Sequence, residues 1–321
     1  MNAEIFAEWF RRQGYQVART ESSYWVNLGK RVYQAFPYHW LIQPEEAELQ
    51  EFIQSQQALA LRYSTLLGAP VGCLSYHATY DKPSYDLDNL GKWARKNVRR
   101  GLKNCEIEEI SFSRLAREGW QLQVDTLDRQ GRRVPMSASR WERLCLSMVD
   151  LSGFKAWGAI VQGQLAASVV TFRMDDCGYM LYQQFLRRYT QDHVNNALSF
   201  SVTKWLMEQK PIHSILYGLH SLDAPASVDE FKFRMGYVAK PVRQRVVFHP
   251  WIKPCINRVS HALVRTLLKL TPGNPTLAKA EGMMRFYLEG LRPLEDQNCP
   301  DILSKLDWKT ISGSAGPGEG T

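Results

Sequence analysis

The chain has 321 residues, 45% hydrophobic and 22% charged, with a net charge of +8. That composition excludes a disordered or collagen-like chain and leaves room for about two cores at roughly 150 residues each. The mild basicity suits a polyanion such as nucleic acid, anionic lipid or a phosphorylated substrate, without selecting among them.

Residues 2–13 predict a helix with Ile5, Phe6, Trp9 and Phe10 on one face. No apolar leader precedes Arg11-Arg12, so no secretory signal is expected. Residues 23–28 and 31–36 around Gly29-Lys30 predict a β-hairpin. Pro44-Glu45-Glu46 opens a helix to about Gln56, because proline fits the first turn and acids suit the positive end of the helix dipole. Strands are expected at 58–66 and 71–80, and helices at 89–103, 113–129 and 137–150, the last two separated by Pro135. Residues 156–161, 165–174 and 179–186 predict a meander with turns at Gln162-Gly163 and 175–178. A loop at 187–193, a helix from about Asn195 to Gln209, and a strand at 214–219 follow. Residues 243–249 predict a last strand, 256–270 an amphipathic helix and 276–291 another helix. The Gly- and Ser-rich residues 311–321 are expected to be disordered. The order hairpin, helix, strand occurs twice, at 24–66 and 156–219, which is compatible with a duplicated α/β unit.

The six cysteines stand alone at 73, 105, 145, 177, 255 and 299. No C-x-x-C pair exists, so neither a zinc knuckle nor a redox motif is indicated and no metal is expected. The chain contains no P-loop, no H-E-x-x-H and no G-x-S-x-G. Ser201-Val202-Thr203-Lys204 matches S-x-x-K but lacks that motif's partners. Reduced thiols and no run of about 18 apolar residues lead to an expected cytoplasmic location, with the inner membrane surface also open.

Three features carry chemistry. Lys92, Arg95, Lys96, Arg99, Arg100 and Lys103 recur at helical spacing, uninterrupted by an acid. They form either a stripe for the phosphates of a cofactor, tRNA or lipid carrier, or simply a solvated face. Next, a strand ending in Arg187-Arg188 feeds a helix start near Asn195 and Asn196, where free amides and a positive dipole end favour an anion. Finally, Tyr217, Gly218, His220 and Asp223 lie at or just past a strand end, where α/β folds place ligands. Candidate general bases are His220, Asp223 and Glu230, and Tyr217 or Tyr182 is a candidate acid. The apolar stripe of 256–270, with a basic polar side, fits either its own domain or an anionic membrane.

The strand ending in glycine, followed by Phe231-Lys232 and Gly236-Tyr237 and then a strand, resembles the end of the second domain in Fem-like peptidyltransferases and their GNAT-type relatives, including the BioF2-like acetyltransferase domains. The basic helix before a Glu/Ile-rich strand at 106–112 is similar to the corresponding Fem-like segment, and the resemblance covers about 85–250. It implies an α/β fold of two GNAT-like domains with mixed sheets: 1–125, then 126–250 as the acyltransferase domain, followed by helices at 251–310. It implies direct transfer of an acyl group from acyl-CoA to an amine, or from aminoacyl-tRNA to a cell-envelope precursor. Lys232 would supply charge, with Tyr217, His220 and Asp223 near the reacting atoms. Arg187, Arg188, Gln184, Phe185, Asn195 and Asn196 would hold the donor, and amides around 182–185 would polarise its carbonyl. The Q/R-x-x-G-x-G/A turn of GNAT enzymes is missing, since 187–193 contain no glycine. A degenerate module that only binds nucleic acid or membrane is therefore the competing class.

Overall fold

Runs of β-branched and aromatic residues become strands here, and the amphipathic runs between them become helices. A computed structural model describes residues 3–132, 136–222 and 226–305. In chain order the elements begin with α1 (Ala3–Arg12), β1 (Val17–Arg19), β2 (Tyr24–Asn27), β3 (Val32–Phe36), α2 (Glu46–Ser55), β4 (Ala60–Thr65) and β5 (Cys73–Tyr80). Next come α3 (Lys92–Asn104), β6 (Glu106–Ile110), α4 (Phe112–Arg129), α5 (Ala138–Leu146), β7 (Phe154–Val161), β8 (Gln164–Met174) and β9 (Cys177–Phe185). The chain continues with α6 (Val194–Met207), β10 (Ser214–Leu219), α7 (Ala226–Arg234), β11 (Val238–Phe248), α8 (Arg258–Leu270), α9 (Pro275–Gly290) and α10 (Asp301–Ser304).

These elements gather into two units. The first comprises the chain up to Gly14, Ala78–Val238 and Gly273–Pro275; the second comprises Tyr15–His77, Ala239–Pro272 and the residues from Thr276 onward. In the first unit the strand order is β6-β7-β8-β9-β10. The pairs are antiparallel except β9 with β10, which is parallel. Gln162 and Gly163 both take positive φ, 50° and 79°, the geometry of a tight hairpin turn that joins β7 to β8. Consecutive residues of a strand point to opposite faces. On β9, Gln184 reaches Gln123 of α4 while Gln183 reaches Asn195 of α6, so the two helices cover opposite faces of this sheet. Val98, Val169, Val194, Leu198, Ile215 and Tyr237 are among the buried side chains of its core.

The second unit contains the β1-β2-β3 meander, β4 parallel to β3, and β11 antiparallel to β4. Trp25, Tyr33, Phe52, Leu61 and Tyr63 are buried together in its core. In both halves of the sequence repeat, the strand after the helix pairs in parallel with the strand before it: β4 with β3, and β10 with β9. Among the described residues no helix is long and apolar enough to cross a membrane, and the six cysteines are unpaired.

Several element limits differ from the sequence expectation, for local reasons. β6 stops at Ile110 because Ser111 caps α4, its side chain accepting from the Arg114 amide. α5 ends at Leu146 rather than 150. Residues 229–237, which in isolation have the sequence of a charged aromatic turn, are the end of a helix and its stop: α7 runs through Lys232 to Arg234, and Gly236 (φ 88°) closes it. Pro135, Asp223 and the residues 311–321 lie outside the described residues.

Candidate active site

The ladder between β8 and β9 of the first unit's sheet is irregular. β8 pairs with β9 as Ser168↔Gln184 and resumes as Val170↔Leu181. Val169 therefore faces two residues, Tyr182 and Gln183, and Tyr182 takes φ 46°. This is a β-bulge: it breaks the ladder and turns backbone amides away from their strand partners. The half-buried Tyr182 ring lies edge-on to Trp9 and Trp141, centroids 6.1 and 6.4 Å away.

Beside the bulge, side chains from four elements converge. The Tyr217 hydroxyl on β10 donates to Gln183 Oε1, and Gln183 Nε2 donates to Asn195 Oδ1 on α6 over 2.8 Å. Lys232 Nζ in α7 lies 2.6 Å from Asp229 Oδ1 one turn earlier, with side chains only 12% and 11% exposed. The same ammonium sits 5.5 Å from the centre of the Tyr217 ring, within cation–π range. Gly218 has φ 146°, and a Cβ there would stand 3.5 Å from Lys232 Nζ. Glycine thus brings the backbone to the lysine in a conformation other residues rarely adopt. Burial, reinforced by Tyr237, raises the Tyr217 pKa well above its usual value. Tyr217 therefore remains a proton donor at neutral pH, and a positive charge stands next to it. Such an arrangement can stabilise negative charge developing on a carbonyl oxygen and hand a proton to a leaving group. Gln183 escaped the sequence reading because a bulge changes which side chains point to a face and pattern alone does not show it, and Asp229 because its pairing with Lys232 depends on a helix there.

The positive end of α6 lies close to α3. A Cβ on Gly101 would come 2.5 Å from the His193 carbonyl oxygen and 2.9 Å from Ala197 Cβ, so only glycine permits this crossing. His193 caps α6 in the left-handed conformation, and its pKa is lowered by burial, then by the charges of Arg100 and Lys96. The first amides of α6 have no acceptor within the helix. Anion-favouring features at this end thus come from α3. Lys92, Lys96, Arg99, Arg100 and Lys103 are exposed, while Arg95 is half-buried and 3.3 Å from Asp88. Trp93, which by helical spacing shares the apolar face with Leu90, Ala94, Val98 and Leu102, is 75% exposed, with Lys96 Nζ 5.7 Å from its ring.

The remaining predicted donor-binding residues have other partners. The Arg187 amide and guanidinium bind Asp125 and Asp128 of α4 at 2.5 and 2.8 Å. Arg188 reaches Gln164 at 2.9 Å and stacks on Tyr189. Gln184 is buried toward α4, and the Phe185 ring lies under the Arg129 guanidinium at 3.8 Å. Asn196 contacts the Met235 sulfur at 3.5 Å. His220 follows β10 half-buried, three residues past Tyr217. Glu230 is exposed. The structure thus brings together Lys232, Tyr217 and Asn195, and directs Arg187, Arg188, Gln184 and Phe185 elsewhere.

No family model matches the sequence, and no curated protein matches it. Solved structures do. FemX aligns at 10% identity over 78% of this chain and 92% of that one, with a TM-score of 0.55. The C-terminal domain of a candidate lysylphosphatidylglycerol synthetase from Agrobacterium fabrum aligns at 13% identity over 83% and 91%, TM-score 0.51. A conserved Bacteroides thetaiotaomicron protein of unknown function aligns at 12% identity over 77% and 92%, TM-score 0.51. The likeness is one of fold, and it includes FemX, in line with the Fem-like resemblance carried by Phe231-Lys232 and Gly236-Tyr237.

Proposed function

We propose that the protein is an acyltransferase that moves an activated acyl group onto an amine, with aminoacyl-tRNA as donor. The observation that carries this reading is the buried Lys232–Asp229 pair against Tyr217, beside the β9 bulge. In this account the donor carbonyl lies at the bulge, where the amides of Tyr182 and Gln183 polarise it, the Phe185 amide being held by the Thr126 hydroxyl at 3.1 Å. The acceptor amine attacks the carbonyl carbon and the ester bond to the donor breaks. Lys232 stabilises the negative charge on the oxygen; Tyr217 gives its proton to the leaving oxygen as the ester bond breaks, and the proton released by the attacking amine as the amide forms restores Tyr217. Asp229 and Gly218 hold Lys232 in place; Gln183 and Asn195 hold the Tyr217 hydroxyl.

The choice of donor rests on α3. From Lys92 to Lys103 its stripe extends roughly 16 Å at the helical rise, long enough for several phosphates of a nucleic-acid strand. The exposed Trp93 offers a stacking surface of the kind that holds bases without sequence preference. Acyl-CoA is the second reading, favoured by the positive end of α6 beside Lys96 and Arg100, which suits a pyrophosphate. Against it, Arg187 and Arg188 are engaged by Asp125, Asp128 and Gln164.

Ligand titrations separate the donors. A ligand that binds the folded state raises the melting temperature by linkage. The tRNA reading expects salt-sensitive tRNA binding and no melting shift with acetyl-CoA or desulfo-CoA. A saturable shift with either CoA and no tRNA binding at low salt would transfer the assignment to acyl-CoA. Absence of both interactions would leave no donor and defeat the proposal.

A further inference from the structure

Helix α8 carries apolar side chains on two opposite sides. Val264 and Leu268 are half-buried on the side where His261 Nε2 meets Glu281 Oε1 of α9 at 2.9 Å. Val259, Leu263, Leu267 and Leu270 repeat at i, i+4, i+8 and i+11 on the other side and are 50–74% exposed. Sequence spacing places Val259, Leu263, Val264, Leu267 and Leu268 on one face opposite His261; the structure divides them, because only part of the helix circumference packs on its own unit. Just ahead of α8, Trp251 is 87% exposed. Scattered exposed apolar residues are ordinary, but a continuous stripe of them marks an interaction surface.

Charge identifies the occupant. From His249 to Ala280 the sequence contains no Asp or Glu, whereas Lys253, Arg258, Arg265, Lys269 and Lys279 are all present. Arg258, Arg265 and Lys269 recur at i, i+7 and i+11, forming a flank along the apolar stripe. Apolar residues with an adjoining purely cationic flank and an exposed tryptophan at one end match the interface of an anionic bilayer, where acyl chains and phosphates lie at different depths. A second copy of the chain would instead bring these cations against one another.

We propose that α8 and the turn at Trp251 dock on an anionic lipid surface. Val259, Leu263, Leu267 and Leu270 enter the acyl boundary, and Arg258, Arg265 and Lys269 meet the phosphates. This surface belongs to the second unit and stands independently of the acyl-transfer reading.

Flotation of the full chain with phosphatidylcholine vesicles, with and without phosphatidylglycerol, tests it. The chain is expected to float only with the phosphatidylglycerol vesicles. Leu263→Asp with Leu267→Asp should abolish flotation while leaving the melting temperature unchanged, since both side chains are exposed. Each of Arg258→Gln, Arg265→Gln and Lys269→Gln should weaken vesicle affinity by about fivefold, the effect of removing about 1 kcal/mol of attraction per cation. Flotation of the double aspartate variant at the wild-type level would overturn the proposal. So would failure of the wild type to float: a concentration-dependent dimer dissolved by Leu263→Asp then assigns the stripe to a second copy, and a monomer assigns it to a protein partner.

Discussion

At the scale of single residues, Lys232 is both an electrostatic device and a structural liability, because an ammonium this buried needs a counter-charge. Asp229→Asn should destabilise the chain by about 1–3 kcal/mol, below the range for fully buried pairs because both side chains keep some water. Combining it with Lys232→Met removes the stranded charge, so stability should recover in denaturant unfolding while acyl transfer stays lost. If the double variant regained both, Lys232 would have no chemical role. His77 gives a second residue-level expectation. Its ring lies buried with Nε2 2.8 Å from Ser64 Oγ, and burial pushes its pKa down to about 3. The unfolded chain takes up that proton near its usual value of about 6.5. Between those values the unfolded state binds more protons, so stability is complete above pH 6.5 and falls as the pH drops toward 3. The slope is at most about 1.4 kcal/mol per pH unit. Unfolding midpoints at several acidic pH values should show this decline in the wild type and a shallower one in His77→Asn; equal slopes would rule out His77 as the source.

At the scale of elements, the crossing of α3 and α6 at Gly101 determines where the basic stripe meets the positive end of α6. Gly101→Ala should cost about 1–3 kcal/mol by overpacking, because the new methyl would meet the backbone carbonyl of His193, which cannot rotate away as a side chain could. The same variant should weaken tRNA binding more than Gly91→Ala, where a Cβ would meet open space; equal effects would separate the stripe from α6. Most elements were legible in the sequence because their periods are strong: the β7-β8-β9 meander, α3, and the repeated order of hairpin, helix and strand. The parts that escaped depend on tertiary placement. Trp93 fits the apolar period of α3, but no element covers it enough to bury it. Arg187 and Arg188 form an inviting anion site in the sequence, yet Asp125 and Asp128 arrive beside Arg187 from a helix about sixty positions earlier. Residues 229–234 look like a turn because Lys, Arg and Asp interrupt the apolar pattern, whereas the fold uses a helix there to bury a charge pair.

At the scale of the whole molecule, a net charge of +8 steers polyanions toward the chain, but its distribution decides where they bind. Lys96 and Arg100 lie beside the α6 start, so Lys96→Gln with Arg100→Gln should lower the salt-dependence slope of tRNA affinity by about 1.4, at about 0.7 per phosphate contact on single-stranded nucleic acid. An unchanged slope would place the RNA elsewhere. The central claim concerns chemistry at Lys232, and group transfer tests it most directly. Purified protein is mixed with tRNA charged with labelled amino acids and an amine pool from its source cells, and conversion of base-labile ester into base-stable amide is followed. The account predicts amide formation by the wild type and a rate lower by at least about a hundredfold in Lys232→Ala, in the range of removing one group that stabilises a developing oxyanion. Equal rates for the two proteins in an active, folded preparation would contradict it.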